Sequence, residues 1–254
     1  MIVTAFIGSG RKRHTYNFSE KFLQALQSFG DVDYEIVMLS DYNLETCKGC
    51  KLCLDKGEQL CPYKDDRDIL IEKIENSDGV IFASPNYCFQ VSSLMKIFLD
   101  RLTFNLHRPR FFGKTFTSIV TQGIAKGEDI VKYLDFIGRG LGFNVINGSC
   151  LKSLEPMTEK GQKHIEKIIS RKSKEFYEQL VKNEFPSPSC WWLMVFRMGR
   201  TSVRKMLDEN WRDYTYYKEK GWFESDYFYP VSLNPFKKLA GKLFDKLALQ
   251  IIRS

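Results

Sequence analysis

No stretch of the 254 residues approaches the roughly 20 apolar positions that a membrane-spanning helix needs, so a spanning protein is not expected. The opening MIVTAFIGSG has no basic n-region, and its apolar run is too short for a secretory signal. Neither a Ser/His/Asp arrangement nor a metalloprotease motif is present, which leaves a hydrolase without its machinery. Of the three histidines, His107 and His164 have no convincing partner in sequence, and His14 lies in a polar loop where it either touches an anion or faces solvent. No internal repeat or low-complexity tract interrupts the chain. Seven cysteines in a chain of this length, 43% hydrophobic, do not make a secreted disulfide scaffold, and a full core can form without bridges. These absences point to a reducing cytoplasm. The net charge of +7 suits an anionic cofactor such as a nucleotide, but a nucleic-acid partner is not expected.

The hydrophobic pattern alternates between strand and helix. Apolar β runs fall at Ile2 to Ile7, Tyr34 to Leu39, Gly79 to Ala83, Thr115 to Val120 and Phe143 to Cys150. Helical spacing separates them: Phe18, Phe22, Leu23 and Leu26; then Ile69, Leu70 and Ile74 behind Asp65 or Asp66 as a cap; then Val91 to Leu102; then Glu128 to Leu141. Five strands with intervening helices imply a parallel sheet covered on both faces, since a right-handed crossover needs a helix between neighbouring strands.

Two loops carry chemistry. After the first strand, Gly8, Ser9 and Gly10 permit a tight turn, Arg11, Lys12 and Arg13 bring positive charge, and Thr15 and Asn17 offer donors where a helix begins. Free N–H groups and the helix dipole make such a start an anion site. The loop does not fit G-x-G-x-x-G, because His14 ends the series, so a mononucleotide phosphate is the better fit. After the second strand, Cys47, Cys50 and Cys53 have C-x2-C-x2-C spacing, and Cys61 follows after seven intervening residues, directly before Pro62. Four thiols this close suggest a redox or metal site, and Lys48, Lys51, Lys56 and Lys64 would offset thiolate charge. Three readings stay open: a [4Fe-4S] cluster, redox-active or free thiols, and structural zinc. Cys88, Cys150 and Cys190, in apolar surroundings, are expected to be small core residues.

GSGRKRHTYN after strand one, SPNYCFQVSSLMKIFLDR after strand three and TQGIAKG after strand four together resemble the flavodoxin-like NAD(P)H-dependent FMN reductases and quinone reductases. The cysteine loop ending in KDD resembles that of the iron-sulfur flavoprotein branch and its cluster-free relatives. The resemblance covers roughly residues 1 to 182. It implies a doubly wound five-stranded parallel sheet of order 2-1-3-4-5, with FMN at the carboxyl ends of the strands. It assigns Ser9, Arg11, Thr15, Tyr16 and Asn17 to the flavin phosphate, Ser84, Pro85, Asn86 and Tyr87 to one side of the isoalloxazine, and Thr121, Gln122 and Gly123 to the other. It also implies NAD(P)H as co-substrate, a quinone-like, nitroaromatic or protein acceptor, and a homo-oligomer. In the electron-carrier alternative, FMN and a cluster held by Cys47, Cys50, Cys53 and Cys61 shuttle electrons between partners.

Residues 183–254 differ in composition, with all four tryptophans and many tyrosines and phenylalanines, and are expected to form a mainly helical extension. Near its end Leu239, Leu243, Phe244, Leu247 and Ile251 make an apolar face, with Lys237, Lys238, Lys242, Lys246 and Arg253 supplying charge. Such a helix, at 237–253, docks on its own domain or a dimer mate, or rests on a membrane surface. Trp191 and Trp192 are expected as an anchor, a lid or core.

Overall fold

A computed structural model describes residues 1–182 and 184–253. Residue 183, where the extension is expected to begin, and the Arg253 side chain lie outside the described residues. In chain order the elements are β1 (Ile2–Ile7), α1 (His14–Gln27), β2 (Asp33–Met38), α2 (Leu52–Asp55), α3 (Arg67–Glu75), β3 (Gly79–Pro85), α4 (Ser93–Arg101), α5 (Phe104–His107), β4 (Thr115–Gln122) and α6 (Gly127–Leu141). They continue with β5 (Asn144–Val145), β6 (Ser149–Lys152), α7 (Glu159–Lys182), α8 (Cys190–Met206), α9 (Arg212–Glu219) and α10 (Pro235–Arg253). Among the described residues, contacts group 1–48 with 63–182 in one unit, and 49–62 with 184–253 in another.

The first unit holds a parallel sheet of order β2-β1-β3-β4-β5, with β6 also pairing with β4. This is the order the resemblance implies. Every residue of β3 and β4 is buried, as expected for central parallel strands covered on both faces. Side chains alternate along β1. Val3, Ala5 and Ile7 join Phe18, Phe22, Leu23 and Phe176 of α1 and α7 on one face. Phe6 points to the other, packing against Phe82 and Phe98, and Phe82 in turn meets Phe116 edge-on.

Of the two carboxylates expected to cap α3, Asp65 accepts from the Arg67 N–H at 3.4 Å while pairing with Arg101 at 2.8 Å, and Asp66, at the cap position, accepts from the Asn43 N–H at 2.7 Å instead. The fifth strand is broken into β5 and β6 around 146–148. Gly148 approaches β4 so closely that an added Cβ would lie 2.0 Å from Ser118 Oγ and 2.5 Å from its carbonyl oxygen. Asp135 of α6 holds the break, accepting from Ser118 Oγ at 2.7 Å and Gly148 N–H at 2.9 Å. Burial raises its carboxyl above the usual range, against the pull of those two donors.

The second unit has its own aromatic core, as the composition of the extension implies. Phe196 meets Trp222, Tyr227 and Phe228, and Trp222 also packs on Tyr216 and Tyr217 while donating its indole N–H to the Phe228 carbonyl at 2.9 Å. Helix α10 lies on α8 through Gly241, Asp245 and Ala248. The Asp245 carboxylate there accepts from Arg197, from Arg200 at 2.8 Å and from Thr201 at 2.9 Å. Trp191 is exposed at the start of α8 and Trp192 is half-buried.

Because a Cβ at residue 148 meets backbone as well as a hydroxyl, Gly148→Ala should destabilise the protein by about 2 kcal/mol or more. Urea unfolding measures this; an unchanged midpoint would mean that β6 does not approach β4 as described.

Candidate functional site

The carboxyl ends of β1, β3 and β4 meet the loop after β6 around a cavity of about 360 Å³. Its position follows from topology. In the order β2-β1-β3 the chain reverses direction across the sheet between β1 and β3, and the loops leaving those strands diverge and leave a crevice.

The loop from β1 is held tightly. An added Cβ on Gly8 would lie 2.8 Å from Met95 Cβ and 2.9 Å from Ser92 Oγ, so only glycine lets this loop pass α4. The Ser92 hydroxyl donates to the Gly8 carbonyl and accepts from the Met95 N–H, capping α4 and pinning the loop with one buried group. Helix α1 starts at His14 with no side-chain cap and no acidic residue in its first turn, so its first N–H groups and its dipole are left to an outside anion. Ser9, Arg11, Arg13 and Thr15 line the cavity at this end. The Thr15 hydroxyl bonds to that of Thr121 at 2.7 Å, joining the start of α1 to the end of β4.

Two further loops form the walls. Pro85, Asn86 and Tyr87 line one side, and Thr121, Gln122 and Gly123 another. Asn86 ties them together: its N–H reaches the Thr121 carbonyl and its side-chain amide the Ala125 carbonyl, each at 2.8 Å. Gln122 uses its side-chain oxygen to accept from the Gly127 N–H at the start of α6, at 2.7 Å. An added Cβ on Gly123 would meet only Leu154, at 4.0 Å, which leaves the backbone there open to a ligand.

Nine of the expected flavin contacts thus line one cavity: Ser9, Arg11, Thr15, Pro85, Asn86, Tyr87, Thr121, Gln122 and Gly123. Three side chains lie elsewhere. Tyr16 packs on the core and donates to Glu20 at 3.2 Å, Asn17 is exposed on the helix, and the buried Ser84 hydroxyl donates to the Pro85 carbonyl and accepts from the Ser92 N–H. Arg13, read from the sequence as part of the loop's positive charge, also lines the cavity, and sequence reading missed Ser153, Leu154 and Glu155. His14, another lining residue, pairs with Glu155 at 2.9 Å. The signal for the last three residues is topological: a loop that follows a parallel strand emerges at the same sheet edge as the other ligand loops.

The cysteines need correction. Cys88 and Cys190 are exposed, not core. Cys88 and Phe89 form the tip of a hairpin turn closed by Tyr87 and Gln90, with φ of 50° and 62°, a conformation that side chains other than glycine adopt at a cost. Cys150 is half-buried, and burial with the nearby Glu128 carboxylate pushes its thiol up to about 12, Lys152 pulling the other way. In the four-cysteine run Cys47 and Cys50 are exposed, Cys53 is half-buried on α2 and Cys61 is buried. The donor chemistry of the run suits iron or zinc; among the described residues no three His, Cys, Asp or Glu side chains are gathered as a metal ligand set. Two of the lysines are turned to other groups, Lys48 over the Tyr63 ring at 4.9 Å and Lys56 to the Asn210 carbonyl at 3.0 Å.

The family profile of the NADPH-dependent FMN reductases matches residues 1–153, and the chain belongs to that family. It is a flavin-dependent oxidoreductase by membership. An iron-sulfur flavoprotein of Archaeoglobus fulgidus is 33% identical over 236 residues, covering 87% of this chain and 99% of the relative. An NAD(P)H:quinone oxidoreductase from Methanothermobacter marburgensis shares the fold at 16% identity and TM-score 0.54, over 68% of this chain and 98% of that one. A crystal structure of RosB with bound 8-demethyl-8-formylriboflavin-5'-phosphate shares it at 12% identity and TM-score 0.60, over 92% of each chain.

Thiolate is the reactive form of cysteine, so at about pH 8 an alkylating reagent should modify Cys88 and Cys190 in the native protein while Cys150 stays unmodified until the chain unfolds. Peptide mass spectrometry after short exposure reads the order; early labelling of Cys150 would contradict its burial.

Proposed function

We propose that the chain binds FMN in the cavity at the ends of β1, β3 and β4 and uses NAD(P)H to reduce a quinone-like, nitroaromatic or protein acceptor. The observation that carries this is the meeting, in one cavity of about 360 Å³, of an uncapped helix start flanked by Arg11 and Arg13 with the open backbone of the two wall loops. These residues fit the group. Ser9, Arg11, Thr15 and the first N–H groups of α1 would receive the phosphate, where helix dipole and guanidinium charge both favour an anion. Pro85 to Tyr87 and Thr121 to Gly123 would flank the ring. FMN, when bound, supplies reversible electron-pair chemistry between nicotinamide and acceptor. The protein's part is positioning: Asn86 holds the two wall loops at a set separation, Pro85 stiffens its turn, and the half-exposed Tyr87 offers an aromatic surface at the mouth. The paired His14 and Glu155 line the same cavity.

One observation favours a second reading. The Archaeoglobus fulgidus relative, aligned over nearly its whole length, is named an iron-sulfur flavoprotein, and this chain carries Cys47, Cys50, Cys53 and Cys61 in ferredoxin-like spacing. On that reading Cys47, Cys50, Cys53 and Cys61 would hold a [4Fe-4S] cluster that supplies single-electron transfer, and the protein would be an electron carrier.

Anaerobic mixing separates the two. As an NAD(P)H-dependent enzyme the flavin-loaded protein should lose its visible absorbance on addition of NADH or NADPH, and Tyr87→Ala should alter the flavin spectrum and turnover without changing stability. Flavin that bleaches only with a reduced electron-transfer protein, together with about four irons and labile sulfide per chain, would favour the carrier. A protein that retains no flavin would overturn both.

A further inference from the structure

Helix α10 docks with its less apolar side. Gly241, Asp245 and Ala248 face α8, where Asp245 is taken up by Arg197, Arg200 and Thr201. At 100° per residue, Phe236, Leu239, Leu243, Leu247 and Ile251 fall on roughly the opposite side. They stand out into solvent, with exposures of 69%, 61%, 52%, 46% and 62%. Five large apolar side chains in one continuous stripe are a surface awaiting a partner.

Charge decides which partner. Lys238, Lys242 and Lys246 are exposed and form a ladder one residue before Leu239, Leu243 and Leu247, so the cations run along one flank of the stripe. Asp245 is the only acidic residue in α10, and its carboxylate is already taken by two guanidinium groups. A second copy of this helix would bring lysine ladders together with no free carboxylate on α10 to offset them, whereas an anionic lipid surface neutralises the ladder while the leucines enter the acyl boundary. No helix among the described residues is long and apolar enough to cross a membrane. We propose that the exposed face of α10 is a docking surface for an anionic lipid bilayer, on which the helix lies in the plane of the headgroups.

Flotation of the full chain with vesicles tests this, and the readout does not depend on flavin activity. Binding is expected to vesicles of phosphatidylcholine mixed with phosphatidylglycerol, to be much weaker on phosphatidylcholine alone, and to fall as salt rises. Replacing Lys238, Lys242 and Lys246 together by glutamine should lower partitioning roughly a hundredfold. Leu243→Glu with Leu247→Glu should abolish it, with the circular dichroism spectrum unchanged because both side chains are exposed. The lysine variant and the salt series keep the test decisive if the leucine variant fails to fold. Absence of binding, equal binding to both vesicle types, or a concentration-dependent dimer that the leucine variant dissolves without any vesicle binding would overturn the proposal, the last by assigning the face to a second copy.

Discussion

Burial of β1, β3 and β4 on both faces is the constraint on which the site depends. Strands with no exposed side cannot present polar groups to a ligand along their length, so ligand-facing groups collect where the strands end. The side chains of β3 and β4 are buried throughout, and the first groups able to meet a ligand are those of 85–87 and 121–123. The same burial sets how closely the first loop packs. Gly8 must pass Met95 and Ser92 without a side chain, and the Ser92 hydroxyl then fixes both that loop and the start of α4. Moving either would shift the start of α1 relative to the wall loops, and with it the anion end of the cavity.

Much of this was legible in the sequence because it rests on local pattern. The first four strands are apolar runs of unambiguous length, and the positions after them carry the turn and donor residues that ligand loops need. What was not legible depends on contacts distant in sequence. The fifth strand reads as continuous, yet Gly148 is drawn onto Ser118 and held by Asp135 of α6. Ser84 reads as a ligand group beside a proline, but its hydroxyl is consumed by Pro85 and Ser92. Cys88 has apolar neighbours in sequence, and the tight turn from Tyr87 to Gln90 exposes it. The pairing of His14 with Glu155 joins residues 141 positions apart.

The extension gives the same lesson through charge. Its aromatic content announces a core, and Phe196, Trp222, Tyr227 and Phe228 supply one. The amphipathic pattern of α10, by contrast, leaves open whether its leucines face the same domain, a dimer mate or a membrane surface. Asp245 sets the orientation: with Arg197 and Arg200 on α8 as its partners, satisfying these largely covered charges turns the apolar stripe outward. Hydrophobic periodicity locates a face, and the ion pairs decide which way it points.

The central claim is that the α1 end of the cavity binds the phosphate of a flavin mononucleotide. Quenching of flavin fluorescence on titration with the apoprotein tests it most directly when FMN and riboflavin, which differ by that phosphate, are compared side by side. FMN should bind at least about a hundredfold more tightly, the worth of two or so charge-assisted hydrogen bonds to the phosphate. Equal affinity for the two flavins would contradict the account.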